Sequence, residues 1–182
     1  NMGSLKAKGI ILQENNMGDF DKMVTLLTPA GKIGCAAKGA RRNNSALMAG
    51  TQYLCFGDYM LYKSAHSYRI NSCETIEVFY NIRTDLDKIK YAVHITKIIQ
   101  DVTTENENSY KILQLYLNTL YIYVYGKARR QWQRAFFMFV QTHKKAALPI
   151  IKVDAAFLLL SSETVSRFPL CKDFVNLRSK IL

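Results

Sequence analysis

The chain has 182 residues, 49% of them apolar or aromatic and 21% charged. That length suits one domain or two small ones, and the composition excludes collagen-like, low-complexity and wholly disordered classes. Lys and Arg number 25 against 14 Asp and Glu, a formal net charge of +11, which points to a polyanionic partner, nucleic acid ahead of an anionic membrane surface. Uninterrupted apolar runs such as residues 135–140 stop at six residues, far short of the roughly 20 that a spanning helix needs, so no membrane segment is expected.

Taken in chain order, residues 5–78 read as short strands separated by turn residues. Residues 5–12 are β-rich and end in the polar run 13–16. Residues 22–27 follow, and Thr28-Pro29-Ala30-Gly31 is a turn whose Pro sets φ and whose Gly permits a positive φ. Residues 32–37 are then the second arm of a hairpin. Residues 53–62 and 68–78 are two longer strands joined by residues 63–67, again at hairpin spacing. The strand from Tyr53 is apolar on both faces, with Tyr53, Cys55, Tyr59 and Leu61 on one and Leu54, Phe56, Met60 and Tyr62 on the other. Such a strand suits a barrel wall with further structure packed outside it. Five strands with a longer connection over residues 39–50 match a five-stranded Greek-key barrel of the OB type, although spacing alone leaves an open sandwich available.

After Tyr80 the hydrophobic period changes from two to 3.6. Thr84-Asp85-Leu86-Asp87 reads as a capping box led by the Thr hydroxyl. Leu86, Ile89, Ala92, Val93 and Ile99 give a helix an apolar stripe that ends near Val102. Residues 103–109 form a link, and Tyr110, Leu113, Leu117 and Leu120 define a second helix to about Tyr121. The expected fold class is therefore α+β, with an OB-type barrel over residues 1–80 and a helical region over 81–182. Farther on, residues 127–145 suggest a basic helix and residues 153–165 an apolar one, with Pro149 between them.

Charge divides unevenly. Residues 1–80 carry nine basic and six acidic side chains, residues 81–120 five of each, and residues 121–182 eleven basic and three acidic. The last segment is thus at +8.

Catalytic patterns are missing. There is no GxSxG, HExxH or Walker loop. Cys35, Cys55, Cys73 and Cys171 form no CxxC or CxxH pair, so neither a zinc site nor a cofactor is expected. Free thiols and the lack of an apolar stretch behind the first lysines suit a reducing cytoplasm. His66, His94 and His143 are scattered and read as surface or packing residues, and Asp19 and Asp21 as loop or capping carboxylates rather than a metal pair.

The informative cluster is Lys38-Gly39-Ala40-Arg41-Arg42, followed by Asn43-Asn44-Ser45, where the third strand enters the long connection. Two adjacent arginines offer forked donors for phosphate oxygens and the lysine a point charge. Tyr53, Tyr59, Tyr62 and Tyr68 are candidate stacking residues, each also a candidate for ordinary packing.

The run Met17-Gly18-Asp19-Phe20-Asp21-Lys22-Met23-Val24-Thr25-Leu26-Leu27-Thr28, then Gly31-Lys32-Ile33 and Ala37-Lys38-Gly39-Ala40-Arg41-Arg42 through Ser45, resembles the N-terminal domain of the bacterial recombination mediator RecO. The resemblance covers residues 5–119. It implies an OB-fold that binds single- and double-stranded DNA, a helical C-terminal domain and strand annealing. It also implies work with RecR and the single-stranded-DNA-binding protein to place RecA on DNA, without catalysis. On this resemblance Lys38, Arg41 and Arg42 are the matched DNA-binding residues, with Lys6, Lys8, Lys22 and Lys32 as supporting candidates. Many family members carry a four-cysteine zinc module that has no counterpart here. Beyond Tyr121 the resemblance stops where the charge jumps, as a divergent, frameshifted or foreign tail would each produce, and such a tail is expected to add little to a cooperative core.

Overall fold

The computed structural model describes residues 3–64 and 67–125. Five strands, β1 (Ser4–Met17), β2 (Asp21–Thr28), β3 (Gly31–Ala37), β4 (Phe56–Lys63) and β5 (Tyr68–Glu77), close into a barrel in the order β1-β2-β3-β5-β4. β1 pairs antiparallel with both β2 and β4. The wall closes through a short parallel pairing of β3 with β5, Cys35 opposite Tyr68 and Ala36 opposite Arg69. This is an OB-type barrel, and the open sandwich is excluded.

Among the described residues four helices accompany it: α1 (Leu47–Gly50) in the connection between β3 and β4, then α2 (Tyr80–Arg83), α3 (Leu86–Val102) and α4 (Tyr110–Tyr125). No helix among the described residues is long and apolar enough to cross a membrane.

Alternation along the strands sorts the apolar residues into two layers. Ile11, Val24, Leu26, Cys35, Ala37, Tyr59, Leu61 and Ile70 fill the barrel. Leu27, Ile10 and Phe56 form a row across β2, β1 and β4 on the opposite face and are just as completely buried. α3 makes contact on that side, where Lys32, opposite Leu27 in register, donates from Nζ to Gln100 O; the hydroxyls of Tyr53 and Thr96 meet at 2.6 Å, and those of Thr96 and Tyr116 at 2.5 Å. The turn between β2 and β3 is clamped by the α3–α4 link, since Lys32 N donates to Thr104 O and Ser109 N donates to Pro29 O. Gly31, at φ +119°, is needed there; a Cβ would come within 2.9 Å of Thr104 O.

Several sequence expectations are corrected. β1 continues through the polar run to Met17, because residues 13–17 pair with residues 21–25 of β2 beyond the end of the β4 pairing. Over residues 13–17 every side chain but the half-buried Glu14 is exposed, so that stretch of β1 needs no apolar alternation. β4 starts at Phe56 rather than Tyr53: Leu54 takes a left-handed conformation at φ +66°, which interrupts the strand. The cap of α3 is Asp85, whose carboxylate accepts from the amides of Asp87 and Lys88, whereas the Thr84 hydroxyl turns back to Tyr80 O. The buried face of α3 is Ala92, Ile95, Thr96 and Ile99; Leu86 and Val93, placed on the stripe from sequence, are 69% and 53% exposed. α4 runs four residues past the expected end. The helices expected over residues 127–145 and 153–165, the expectation that the tail adds little, and those for His66, His143 and Cys171 lie outside the described residues.

Candidate nucleic-acid interface

The basic cluster leaves β3 at Ala37 and is fixed from beneath. Ala40 is fully buried, while Lys38, Arg41, Arg42, Asn43 and Asn44 are exposed. Gly39 adopts φ +66°, a conformation that a side chain would strain. Its amide donates to Asp21 Oδ1 at 2.7 Å. Arg42 N then donates to Gly39 O, closing a turn.

The β1–β2 turn supplies the other half of the site. Arg41 N donates to Phe20 O at 2.9 Å, and Arg41 Nη1 donates to Gly18 O at 3.0 Å. The Arg42 guanidinium lies over the Phe20 ring, 5.2 Å from its centroid. Residues 18–21 and 38–42, about 20 positions apart in the chain, therefore form one rim with three cations on its outside. Asp21 is a capping carboxylate, as read from sequence.

The supporting lysines lie elsewhere. Lys6 is exposed on the outer face of β1, 3.8 Å from Asp58, and Lys8, two positions on, stands opposite Asp58 in register. Lys22 is only 9% exposed and is paired with Glu14, whose second oxygen accepts the amide of Tyr53. Lys32 Nζ donates to Gln100 O at 2.9 Å, which ties it to α3.

The four tyrosines also separate. Tyr59 is completely buried and its hydroxyl donates to Gly50 O and Cys55 O. Tyr53 meets Thr96. Tyr62 and Tyr68 sit on the β4–β5 hairpin, each paired across the strands with a cation: Arg69 lies 5.8 Å from the Tyr62 centroid and Lys63 5.6 Å from that of Tyr68. Sequence reasoning passed over Phe20, Lys63 and Arg69. The signal was present in the repeated Tyr-Lys and Tyr-Arg dipeptides flanking the hairpin, and in an aromatic residue placed in an otherwise polar turn.

The described residues supply little for covalent or metal chemistry. Burial pushes the Cys35 thiol up to about 12 and raises those of Cys55 and Cys73, so none is a ready thiolate. No group of three or more His, Cys, Asp or Glu that would hold a metal occurs among the described residues.

Barrel topology and a cationic rim between the β1–β2 turn and the loop after β3 define a class, small OB-type barrels with a basic edge. Within it, residues 2–79 match the family "Recombination protein O N terminal". Relatives include the DNA repair protein RecO of Acetivibrio thermocellus, 46% identical over 122 residues that make up 66% of this chain and 49% of that protein. That of Alkaliphilus metalliredigens is 35% identical over 119 residues, 65% of this chain and 48% of the relative. That of Caldicellulosiruptor bescii is 32% identical over 136 residues, 74% and 56%. The N-terminal region of the chain is thus similar to the N-terminal part of the recombination protein O family, and the chain spans about half the length of the curated relatives it matches.

Proposed function

We propose that the chain is a non-enzymatic DNA-binding protein of repair and recombination that holds strands through the rim formed by Lys38, Arg41 and Arg42. The observation that carries this reading is the locking of residues 38–42 onto the β1–β2 turn: the backbone is fixed by Ala40, Asp21 and Gly39, while the three cations remain exposed. A loop whose charges served only solubility needs no such scaffold. OB barrels bind oligonucleotides on the face and loops that include the β1–β2 and β4–β5 connections; here Phe20 of the β1–β2 turn meets Arg42 from the loop after β3, and Tyr62, Lys63, Tyr68 and Arg69 form cation–ring pairs on the strands that flank the β4–β5 connection. Contacts to phosphate carry no base information, which suits a protein that must accept any sequence.

On the same reading the chain anneals single strands and, in the cytoplasm, assists loading of RecA with RecR and the single-stranded-DNA-binding protein. The family match supports this, and it is a reading of the whole protein of which this chain spans about half.

The test is the salt dependence of binding to a labelled single strand. Each phosphate neutralised adds about 0.7 to the slope of log K against log salt. Replacing Arg41 and Arg42 together by Gln is expected to flatten the slope by about 1 to 1.5, equally for poly-pyrimidine and mixed sequences. An unchanged slope and affinity would instead favour an adaptor whose partner holds the DNA.

A further inference from the structure

We infer that Phe20 is a base-stacking residue, so that the rim binds a single strand by one ring-on-base contact as well as by phosphate charge; this rests on the DNA-binding reading above. Phe20 stands at the tip of the β1–β2 turn with 50% of its surface exposed, although its neighbours are fixed. Its carbonyl accepts the amide of Arg41, and the next residue, Asp21, is held by the amide of Gly39. The Arg42 guanidinium lies over the ring, and half of the residue's surface is open to solvent.

That arrangement has the parts of a single-strand site. A ring supported on one side by a guanidinium is oriented before any ligand arrives, so little ordering entropy remains to be lost on binding. The guanidinium itself, 5.2 Å from the ring centroid on an exposed residue, keeps N–H donors for phosphate. Arg41 extends to Gly18 on the far side of the turn, which places cations beside the aromatic ring. No Cβ contact exists within 4 Å at Gly18, and Asp19 is exposed, so the turn itself leaves room for a base. Stacking on such a ring tolerates every base, because all have a π face, and the contact is therefore compatible with indifference to sequence. It is not available in a duplex, whose bases already stack on one another.

The experiment compares the full chain and its variants on two labelled oligonucleotides of equal length, oligo-dT and an abasic strand with the same phosphates. The unmodified chain is expected to prefer oligo-dT. Phe20→Leu should weaken oligo-dT binding about 5- to 100-fold, leave abasic binding unchanged and leave both salt slopes unchanged. Phe20→Trp should restore the preference, and its added fluorescence should be quenched by oligo-dT and not by the abasic strand. Circular dichroism of both variants checks that the barrel is intact. If Phe20→Leu weakens both strands equally, or neither, the stacking inference falls while phosphate binding stands. If the unmodified chain binds neither strand, both fall together.

Discussion

Asp21 joins two loops that the sequence keeps 18 positions apart, through the single bond from the Gly39 amide at 2.7 Å. A carboxamide keeps the accepting oxygen, so Asp21→Asn is expected to unfold in urea close to the parent, while Asp21→Ala is expected to lose about 1 to 2 kcal/mol. A second residue-scale expectation concerns alkali. Burial raises Cys35, Tyr59 and Tyr116 above their ordinary values, for Tyr59 with further contributions from neighbouring thiols and for Tyr116 from Tyr53. In each case the native state holds its proton longer than the unfolded chain does, so above about pH 9 the unfolded state binds fewer protons and stability falls as pH rises. Urea midpoints should be flat from pH 7 to 9 and drop steadily toward pH 11. Tyr59→Phe should reduce that slope while lowering stability at pH 7 by about 1 to 3 kcal/mol, since Gly50 O loses the hydroxyl that donates to it, whereas Cys55 O keeps the Ile11 amide.

At the scale of elements, what was legible depended on whether a residue's task is set by its own neighbours in sequence. The Thr28 to Gly31 turn was readable because Pro and Gly act locally, and the change of period near Thr84 marked the helices for the same reason. The cap of α3 was not, because Thr84 and Asp85 both have side chains that accept a hydrogen bond and only the backbone decides between them: Asp85 is extended at φ −116° and ψ 118°, and Thr84 belongs to the end of α2. Replacing Asp85 by Ala is therefore expected to lower the thermal midpoint, and Thr84→Ala to leave it nearly unchanged. The bonds to the amides of Lys88 and Asp87 hold the Asp85 carboxyl below its usual range, so its help is present above the ordinary carboxylate range and fades as pH falls through the lowered value. The face of α3 was misread for a different reason. Thr96 counts as polar in any stripe, yet it is buried with its hydroxyl among Ala92 O, Tyr53 and Tyr116, partners that only the tertiary fold supplies. The candidate rim was legible in its cations, which cluster in sequence, and illegible in Phe20, which meets Arg42 only in the folded chain.

For the whole molecule, the limits of the family match and of the folded unit differ. The family model's match ends at residue 79, although relatives align over 119 to 136 residues, and the barrel and helices through Tyr125 form one compact unit, in which the outer row Leu27, Ile10 and Phe56, with Leu12, is buried although none of the four belongs to the cluster that fills the barrel. The double-sided apolar strand, which contains Phe56, pointed to such a cover from sequence, yet the other three residues that need it lie earlier, in β1 and β2. Removing α2 to α4 would expose those four side chains to water, at about 1.5 to 3 kcal/mol each, about 6 to 12 kcal/mol together. That is comparable to the whole stability of a typical domain, about 5 to 15 kcal/mol. The clamp on the β2–β3 turn would be lost as well, leaving Lys32 N and Pro29 O without their partners in the α3–α4 link. A fragment of residues 1–79 is therefore expected to show no cooperative urea transition, and a fragment of residues 1–125 a single sharp one, read by circular dichroism and by the dispersion of amide resonances. Restoring the helices in trans as residues 80–125 should recover the transition at raised concentration, since the apolar face is the same whether or not the chain is continuous. A cooperative transition in residues 1–79 alone, at the midpoint of the longer fragment, would mean that the outer row is not what binds barrel to helices.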